Sequence, residues 1–321
     1  MLAASAALAF VVSFAAVRLL LARFHSFALD RPNERSLHET PVPRTGGLAV
    51  LAGIASVLPF AGMRFWMPLL LAALLAAVSL YDDLRGLPRR ARFAAHFAAA
   101  GVLVWYLLSP MHPAELVVLA LAVVWITNLY NFMDGADGVA GGMAVVGFSA
   151  YAAGAALAGE GALAALCAAV AAASGAFLVH NFHPARLFLG DAGSIPLGFL
   201  AAALGIVGWR NDAWPLWFPL LVFGPFIGDA TVTLARRLAR REKVWEAHRE
   251  HYYQRIVRMG MGHRGAALVG YALMAACAGF ALAGRAQPPA LQAAAFGAGC
   301  ALLGALALWV DLRWSRHAAK R

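Results

Sequence analysis

Five aspartates in three short motifs are the residues of this sequence best suited to chemistry. Asp82 and Asp83 stand in YDDLRG, Asp134 and Asp137 in NFMDGADG, and Asp191 in LFLGDAGS. Each motif borders a long apolar run; NLYNFMDGADGVAGG, for example, lies between LVVLALAVVWIT and MAVVGFSAYAAGAALA. A carboxylate at membrane depth is expensive and usually functional. Grouped carboxylates can hold Mg2+, a hard cation wanting oxygen ligands in near-octahedral geometry, or take a proton from a nucleophile. Taken singly, each motif also has a plain structural reading. DGADG is a glycine-rich turn, and YDDLRG is a helix end balanced by Arg85, Arg89, Arg90 and Arg92. LFLGDAGSIP is a helix start with Ser194 as N-cap and Pro196 in the first turn, and such a start also turns backbone N–H groups toward a phosphate.

Two basic loops accompany the acids. Residues 30–47, DRPNERSLHETPVPRTGG, hold three prolines and end in Arg44-Thr45-Gly46-Gly47, a stiff loop delivering a cation beside flexible backbone. Residues 235–264 include RRLARREKVWEAHREHYYQRI. Attraction to anionic headgroups accounts for its arginines but not for its imidazoles. His248, Arg249 and His251 suit a diphosphate, whereas a zinc site at the two histidines lacks a further nearby ligand. Asp229 precedes Arg236 by about two helical turns and is expected to pair with that arginine or its neighbour.

The elements that must position these groups are apolar helices. The chain is 62% hydrophobic and 13% charged, with mean hydropathy +0.70, against roughly half and a quarter for a soluble domain. Eleven candidate spans follow: 2–22, 46–63, 65–80, 93–109, 114–130, 139–158, 161–179, 195–209, 214–234, 265–284 and 290–312, the third and eighth being short. Alternation puts 22 of the 26 Lys and Arg residues on one side, so that side is read as cytoplasmic. The predicted fold is therefore an all-α polytopic membrane protein, a single domain over 1–321, with its N-terminus periplasmic and its C-terminus cytoplasmic. Arg18 and Arg23 follow the first apolar run instead of preceding it, which marks a retained span and not a signal peptide. The net charge of +10 needs no nucleic acid to explain it. Cys167, Cys277 and Cys300 lie in apolar segments without metal spacing. All three acidic motifs fall on the basic side, and that convergence favours a site over three separate turns.

The motifs RPNERSLHETPVPRTGG, YDDLRG, NLYNFMDGADGVAGG, HNFHPARLFLGDAGS and AHREHYYQR, in that order, resemble the polyprenyl-phosphate N-acetylhexosamine-1-phosphate transferases. That family includes the peptidoglycan phospho-muramoyl-pentapeptide translocase and the enzymes that initiate O-antigen, enterobacterial common antigen and teichoic-acid linkage synthesis. The resemblance runs from about Asp30 to Arg255. It implies Mg2+-dependent (or Mn2+-dependent) transfer of a sugar 1-phosphate from a UDP-sugar to undecaprenyl phosphate at a bacterial inner membrane, with release of UMP. By the same resemblance, Asp82 and Asp83 belong to the lipid phosphate and its deprotonation, and Asp191 to the metal. Asn128, Asn131, Asp134, Asp137, Asn181 and Phe188 line the nucleotide site, and His248 and His251 lie over the diphosphate. Membrane lipids are expected partners, and a homodimer is compatible with this reading.

The departures bear on the sugar. Arg85, Arg89 and Arg90 stand where family members often carry lysines, and HREHYYQR differs from the tighter histidine cluster of the peptidoglycan enzyme. The pattern is closer to the O-antigen-initiating subgroup, which uses UDP-GlcNAc or deoxy relatives such as UDP-FucNAc and UDP-QuiNAc. The rivals fit less well. The DG-x-x-A-R signature of CDP-alcohol phosphatidyltransferases fails after Asp134-Gly135, and the DDxxD of prenyl synthases fails after Asp82-Asp83. A transporter or flippase would place polar sites near mid-membrane.

Overall fold

The structure is a computed structural model that describes residues 1–24, 28–30, 32, 37, 41–244, 246 and 248–319. Most of the RPNERSLHET stretch, together with Trp245 and Ala247 of the histidine loop, lies outside the described residues. The elements run α1 (Leu2–Arg23), β1 (Leu29–Asp30), β2 (Val42–Pro43), α2 (Gly46–Ala55), α3 (Leu58–Ala61), α4 (Trp66–Arg85), α5 (Arg89–Leu108), α6 (Pro113–Phe132) and α7 (Val139–Leu157). They continue with α8 (Gly161–Asn181), α9 (Asp191–Arg210), α10 (Trp217–Val222), α11 (Gly224–Ala239), α12 (Tyr252–Ile256), α13 (Gly262–Gly284) and α14 (Pro289–Ala318).

Among the described residues, nine helices are long and apolar enough to cross a membrane. The protein is all-α and polytopic, with one two-residue antiparallel ribbon pairing Leu29 with Pro43 and Asp30 with Val42. The third and eighth expected spans are full helices, α4 and α9, whose end turns contain the acidic motifs. The second and ninth are the interrupted ones. The second is divided between α2 and α3, and the ninth breaks at Phe223, just before Pro225, whose ring removes a backbone donor.

Burial ranks the helices. In α9, 94% of the apolar stretch is buried, against 11% in α14, so α9 is the axis and α14 the periphery. Against α9 pack α4 and α6, while α8 packs on α1 and α7. Small residues permit this closeness, as expected where lipid is as apolar as the side chains. A Cβ on Gly47 would come within 2.3 Å of Gly193 Cα, so α2 and α9 meet backbone to backbone. Sparse polar ties add registry, including Ser13 Oγ to the Ala173 carbonyl (2.9 Å) and Tyr151 Oη to the Ala201 carbonyl (3.0 Å).

Candidate active site

The first strand of the site is a backbone zipper. Phe188 N–H donates to the Pro43 carbonyl (2.8 Å), Gly46 N–H to the Phe188 carbonyl (2.9 Å) and Gly47 N–H to the Leu189 carbonyl (2.8 Å). Phe188 thus enters through its main chain. Gly190 closes the zipper with φ 72°, and a Cβ there would come within 2.4 Å of the Arg44 carbonyl. Only glycine meets both demands, and the residue after it is Asp191, at the start of α9.

The carboxylates then converge. Arg44 Nη2 lies 3.4 Å from Asp83 Oδ1, and Arg92 Nη1 lies 2.8 Å from Asp82 Oδ2 and 3.8 Å from Asp191 Oδ2. Asp82 also accepts the Leu87 N–H (2.6 Å), which fixes the turn between α4 and α5. Asp83 stands within electrostatic reach of Asp82, Asp191 and Asp30. The Asn131 side chain bonds Asp191 and accepts from Ser194 Oγ (2.7 Å). Ser194 is therefore not the N-cap of α9. Gly190 holds that position, and Ser194 Oγ turns back to the Gly190 carbonyl (3.2 Å) as well as to Asn131. Burial, then repulsion from Asp191 and Asp30, pushes the Asp134 carboxyl well above its usual range. Carboxylates crowd here around two guanidiniums, and a donor set of oxygens alone fits a hard divalent cation.

Beside this cluster is a cavity of about 350 Å³ walled by Arg92, His96, Asn128, Asn131, His248 and His251. Asn128 donates to the Val124 carbonyl (2.7 Å) and is within hydrogen-bonding reach of His96. The His96 ring is buried, and its Nδ1 has no hydrogen-bond partner among the described residues. His248 and His251 face one another at 4.8 Å. Glu250 N–H donates to His248 Nδ1 (3.4 Å), leaving Nε2–H as the donor. Burial, then the positive neighbours His251 and Arg237, pushes His248 down from 6.5 to about 4. Arg249 contributes its carbonyl, which accepts from Arg258 (3.0 Å).

Asp229 does not pair with Arg236. That arginine bonds Asp311 of α14 (2.9 Å), while Arg237 turns to Glu242 and Glu250. Asp229 instead accepts the Tyr252 N–H (2.9 Å), the Tyr253 N–H (3.0 Å) and the His251 ring (3.1 Å). The reason is local: α12 begins there with unpaired N–H groups, which a buried carboxylate satisfies better than an exposed guanidinium would satisfy the carboxylate.

Asp137 and Asn181 lie in a second group. Asn181 accepts the Gly138 N–H (3.0 Å) and donates to the Leu187 carbonyl (2.9 Å), so it ties the DGADG loop to the loop before α9. Asp137 meets His183, His263 and the Ala185 N–H. Burial opposes its charge, but those hydrogen bonds outweigh it and hold the carboxyl below its usual range. Tyr253 Oη reaches the Phe132 carbonyl (3.2 Å) and seats the histidine loop on the end of α6.

The residues that sequence reading passed over are His96, His183, His263 and the true role of Asp229. One signal existed for His96: it follows Arg92 by four positions, so both share a helix face. An almost wholly apolar cavity of about 330 Å³ also lies among α11, α13 and α14. The carboxylate it offers, that of Asp229, is already bonded.

The chain is similar to known proteins over most of its length. The profile described as glycosyl transferase family 4 matches residues 65–209. The chain is 31% identical to the decaprenyl-phosphate N-acetylglucosaminephosphotransferase of Mycobacterium tuberculosis, over 79% of this chain and 74% of that protein. It is 28% identical to the probable undecaprenyl-phosphate N-acetylglucosaminyl 1-phosphate transferase of Bacillus subtilis, over 76% and 74%. It is 27% identical to the undecaprenyl-phosphate alpha-N-acetylglucosaminyl 1-phosphate transferase of Yersinia pestis, over 82% and 80%. This multi-pass membrane protein belongs to the polyprenyl-phosphate N-acetylhexosamine-1-phosphate transferase family.

Proposed function

We propose that the protein moves an N-acetylhexosamine 1-phosphate, GlcNAc or a deoxy relative such as FucNAc or QuiNAc, from its UDP-sugar to undecaprenyl phosphate, releasing UMP. The product would begin a lipopolysaccharide O-antigen or related envelope polysaccharide at the cytoplasmic face of a bacterial inner membrane. The observation that carries this reading is the alternation of charge at apolar helix ends: Arg44 on Asp83, and Arg92 between Asp82 and Asp191. Guanidiniums there can receive phosphates while carboxylates receive a cation, and only a membrane-seated acceptor requires that chemistry at this depth.

The chain's own groups divide the work. Arg44 and Arg92 orient anionic oxygens, and Asp82 and Asp83 are the proton acceptors for the lipid phosphate. Asn128 and Asn131 present amides to the donor, with Asp134 beside them. Asp137, Asn181 and Phe188 shape the nucleotide loop, as their backbone ties suggest. His248 offers Nε2–H to a diphosphate, with Arg249 and His251 alongside. Asp191 would hold Mg2+ or Mn2+, supported by the all-oxygen donor set around it. That ion would offset negative charge as UMP departs.

A donor screen tests the proposal: purified protein, undecaprenyl phosphate, Mg2+ and a panel of UDP-sugars, reading UMP and lipid product. UMP released with one N-acetylhexosamine donor is the expected result. No UMP with any donor would overturn it.

A further inference from the structure

Asp137, beside the proposed nucleotide loop, meets His183 and His263, which come from a second loop and from the start of α13. One ligand atom from each lies within 4.8 Å of the others. Asp137 is in the loop between α6 and α7, His183 in the loop after α8, and His263 in the first turn of α13. His183 Nδ1 is 2.7 Å from Asp137 Oδ2, and His263 Nδ1 is 3.3 Å from Asp137 Oδ1. The two imidazoles lie nearly parallel, at 12° and 5.3 Å.

His263 is held at both ring nitrogens. Its Nε2 is 3.0 Å from the Leu37 carbonyl, so the ring carries its proton there. Nδ1 then accepts the Asp137 N–H (3.1 Å), a bond that a cation bound there would replace, and it also faces the carboxylate oxygen. Two acceptors 3.3 Å apart repel unless a proton or a cation sits between them. That distance is the edge of a tetrahedron whose bonds are about 2.0–2.1 Å long, as in zinc sites. A ligating histidine usually donates its other N–H to a carbonyl, as His263 does to Leu37. Ala185 N–H supports the carboxylate from the far side (3.1 Å).

His183 completes the set. Its side chain is 43% exposed, so the ring has room to move from its hydrogen bond to the carboxylate into a coordinating position. On binding, the cation replaces the Nδ1 proton, which leaves to solvent. Water would fill a fourth position on this open side. Two imidazoles and one carboxylate suit zinc-like ions and not Mg2+, which prefers oxygen alone. We propose that Asp137, His183 and His263 form a binding site for a divalent transition-metal ion of the zinc type, sharing no residue with the Asp191 cluster and clasping two loops to the start of α13.

The test uses the full-length protein in detergent, stripped with a chelator. Co2+ is titrated alone and read by its visible d–d absorption, and Zn2+ is then measured by competition with a chromophoric chelator in excess Mg2+. One equivalent, with a tetrahedral-type band that Mg2+ does not displace, is expected. H183N, which loses the 2.7 Å bond to Asp137, is expected to lower the melting temperature of the metal-free protein modestly and to weaken metal binding about a hundredfold or more. That exceeds or matches the loss known for outer-shell partners. Zn2+ should raise the melting temperature of the wild type and not of H183N. D191N should bind as the wild type does. Absence of stoichiometric binding, or an H183N variant that binds like the wild type, would overturn the site. UMP release plays no part in these readouts, so the result stands apart from the proposed transfer activity.

Discussion

Asp229 Oδ1 and His251 Nδ1 are 3.1 Å apart, joined across 22 residues of sequence. The same carboxylate accepts the Tyr252 and Tyr253 N–H groups, so one buried acid fixes both the ring and the helix that follows it. Asp229→Asn keeps the shape but replaces one acceptor oxygen with a donor. It is expected to lower stability by about 1–3 kcal/mol, the range for a buried polar group left without its partner. Activity should fall further than Tyr253→Phe makes it fall, because the ring loses its anchor as well. Denaturant melts and turnover of the two variants check this, and equal losses would show that Asp229 merely packs.

How far was this legible beforehand? Most of the helices were, because a span in lipid satisfies its backbone internally and so is written as a long apolar run. Asp82, Asp83 and Asp191 were legible too, since acids beside such runs stand out. Asp229 was not. Its partners are backbone N–H groups, which leave no trace in residue types, and a neighbouring arginine offered a simpler pairing. His183, in the loop after α8, and His263, at the start of α13, are 80 positions apart, and only the packing of α8 and α13 near α7 brings them to Asp137. The break at Phe223 was signalled by Gly224-Pro225, but the apolar residues around them made the segment read as one continuous span.

Gly190 offers a second measurement. It combines φ 72° with a 2.4 Å approach of its absent Cβ to the Arg44 carbonyl. Gly190→Ala must therefore open the zipper that holds Arg44 and Asp191 together. A destabilisation of about 1–3 kcal/mol is expected from the strained backbone, along with a rate loss larger than that of Gly62→Ala. Gly62 shares the positive φ but has open space around it. Comparable rate losses in the two variants would detach the zipper from function.

His248 sets a pH dependence. Its pKa is about 4 in the folded protein, against 6.5 ordinarily. Between those values the unfolded chain binds the extra proton and the folded chain does not. Stability from this group is therefore present above about 6.5 and declines as pH falls toward 4. His248→Gln should flatten the fall in melting temperature over that window. A diphosphate bound beside the ring would favour its charged form, so a UDP-sugar should shrink the same slope in the wild type. An unchanged slope in His248→Gln would show that the decline arises elsewhere.

The two acidic jobs can be separated by three substitutions. Asp191 is 32% exposed at the start of α9 and reaches Arg92 only at 3.8 Å, so its carboxylate is available to a cation. Asp191→Asn keeps the shape and removes the charge. A rate loss on the order of a hundredfold is expected, by analogy with removing one preorganised electrostatic group, and added Mg2+ should recover part of it. Asp82 is already committed to the Leu87 N–H and to Arg92 at 2.8 Å, whereas Asp83 faces Arg44 at a looser 3.4 Å. Asp83 is therefore the freer proton acceptor. A phosphate monoester has its second pKa near about 6, so at neutral pH the acceptor is mostly ionised and a base matters most below that. Asp83→Asn should lose activity more steeply than Asp82→Asn as pH falls, with no rescue by Mg2+. Asp82→Asn should instead lower the melting temperature, because the turn into α5 loses a charged anchor. Rates across pH and Mg2+ concentration decide both assignments. Wild-type Mg2+ dependence in Asp191→Asn would remove the metal role, and parallel pH profiles for the Asp82 and Asp83 variants would remove the distinction between them.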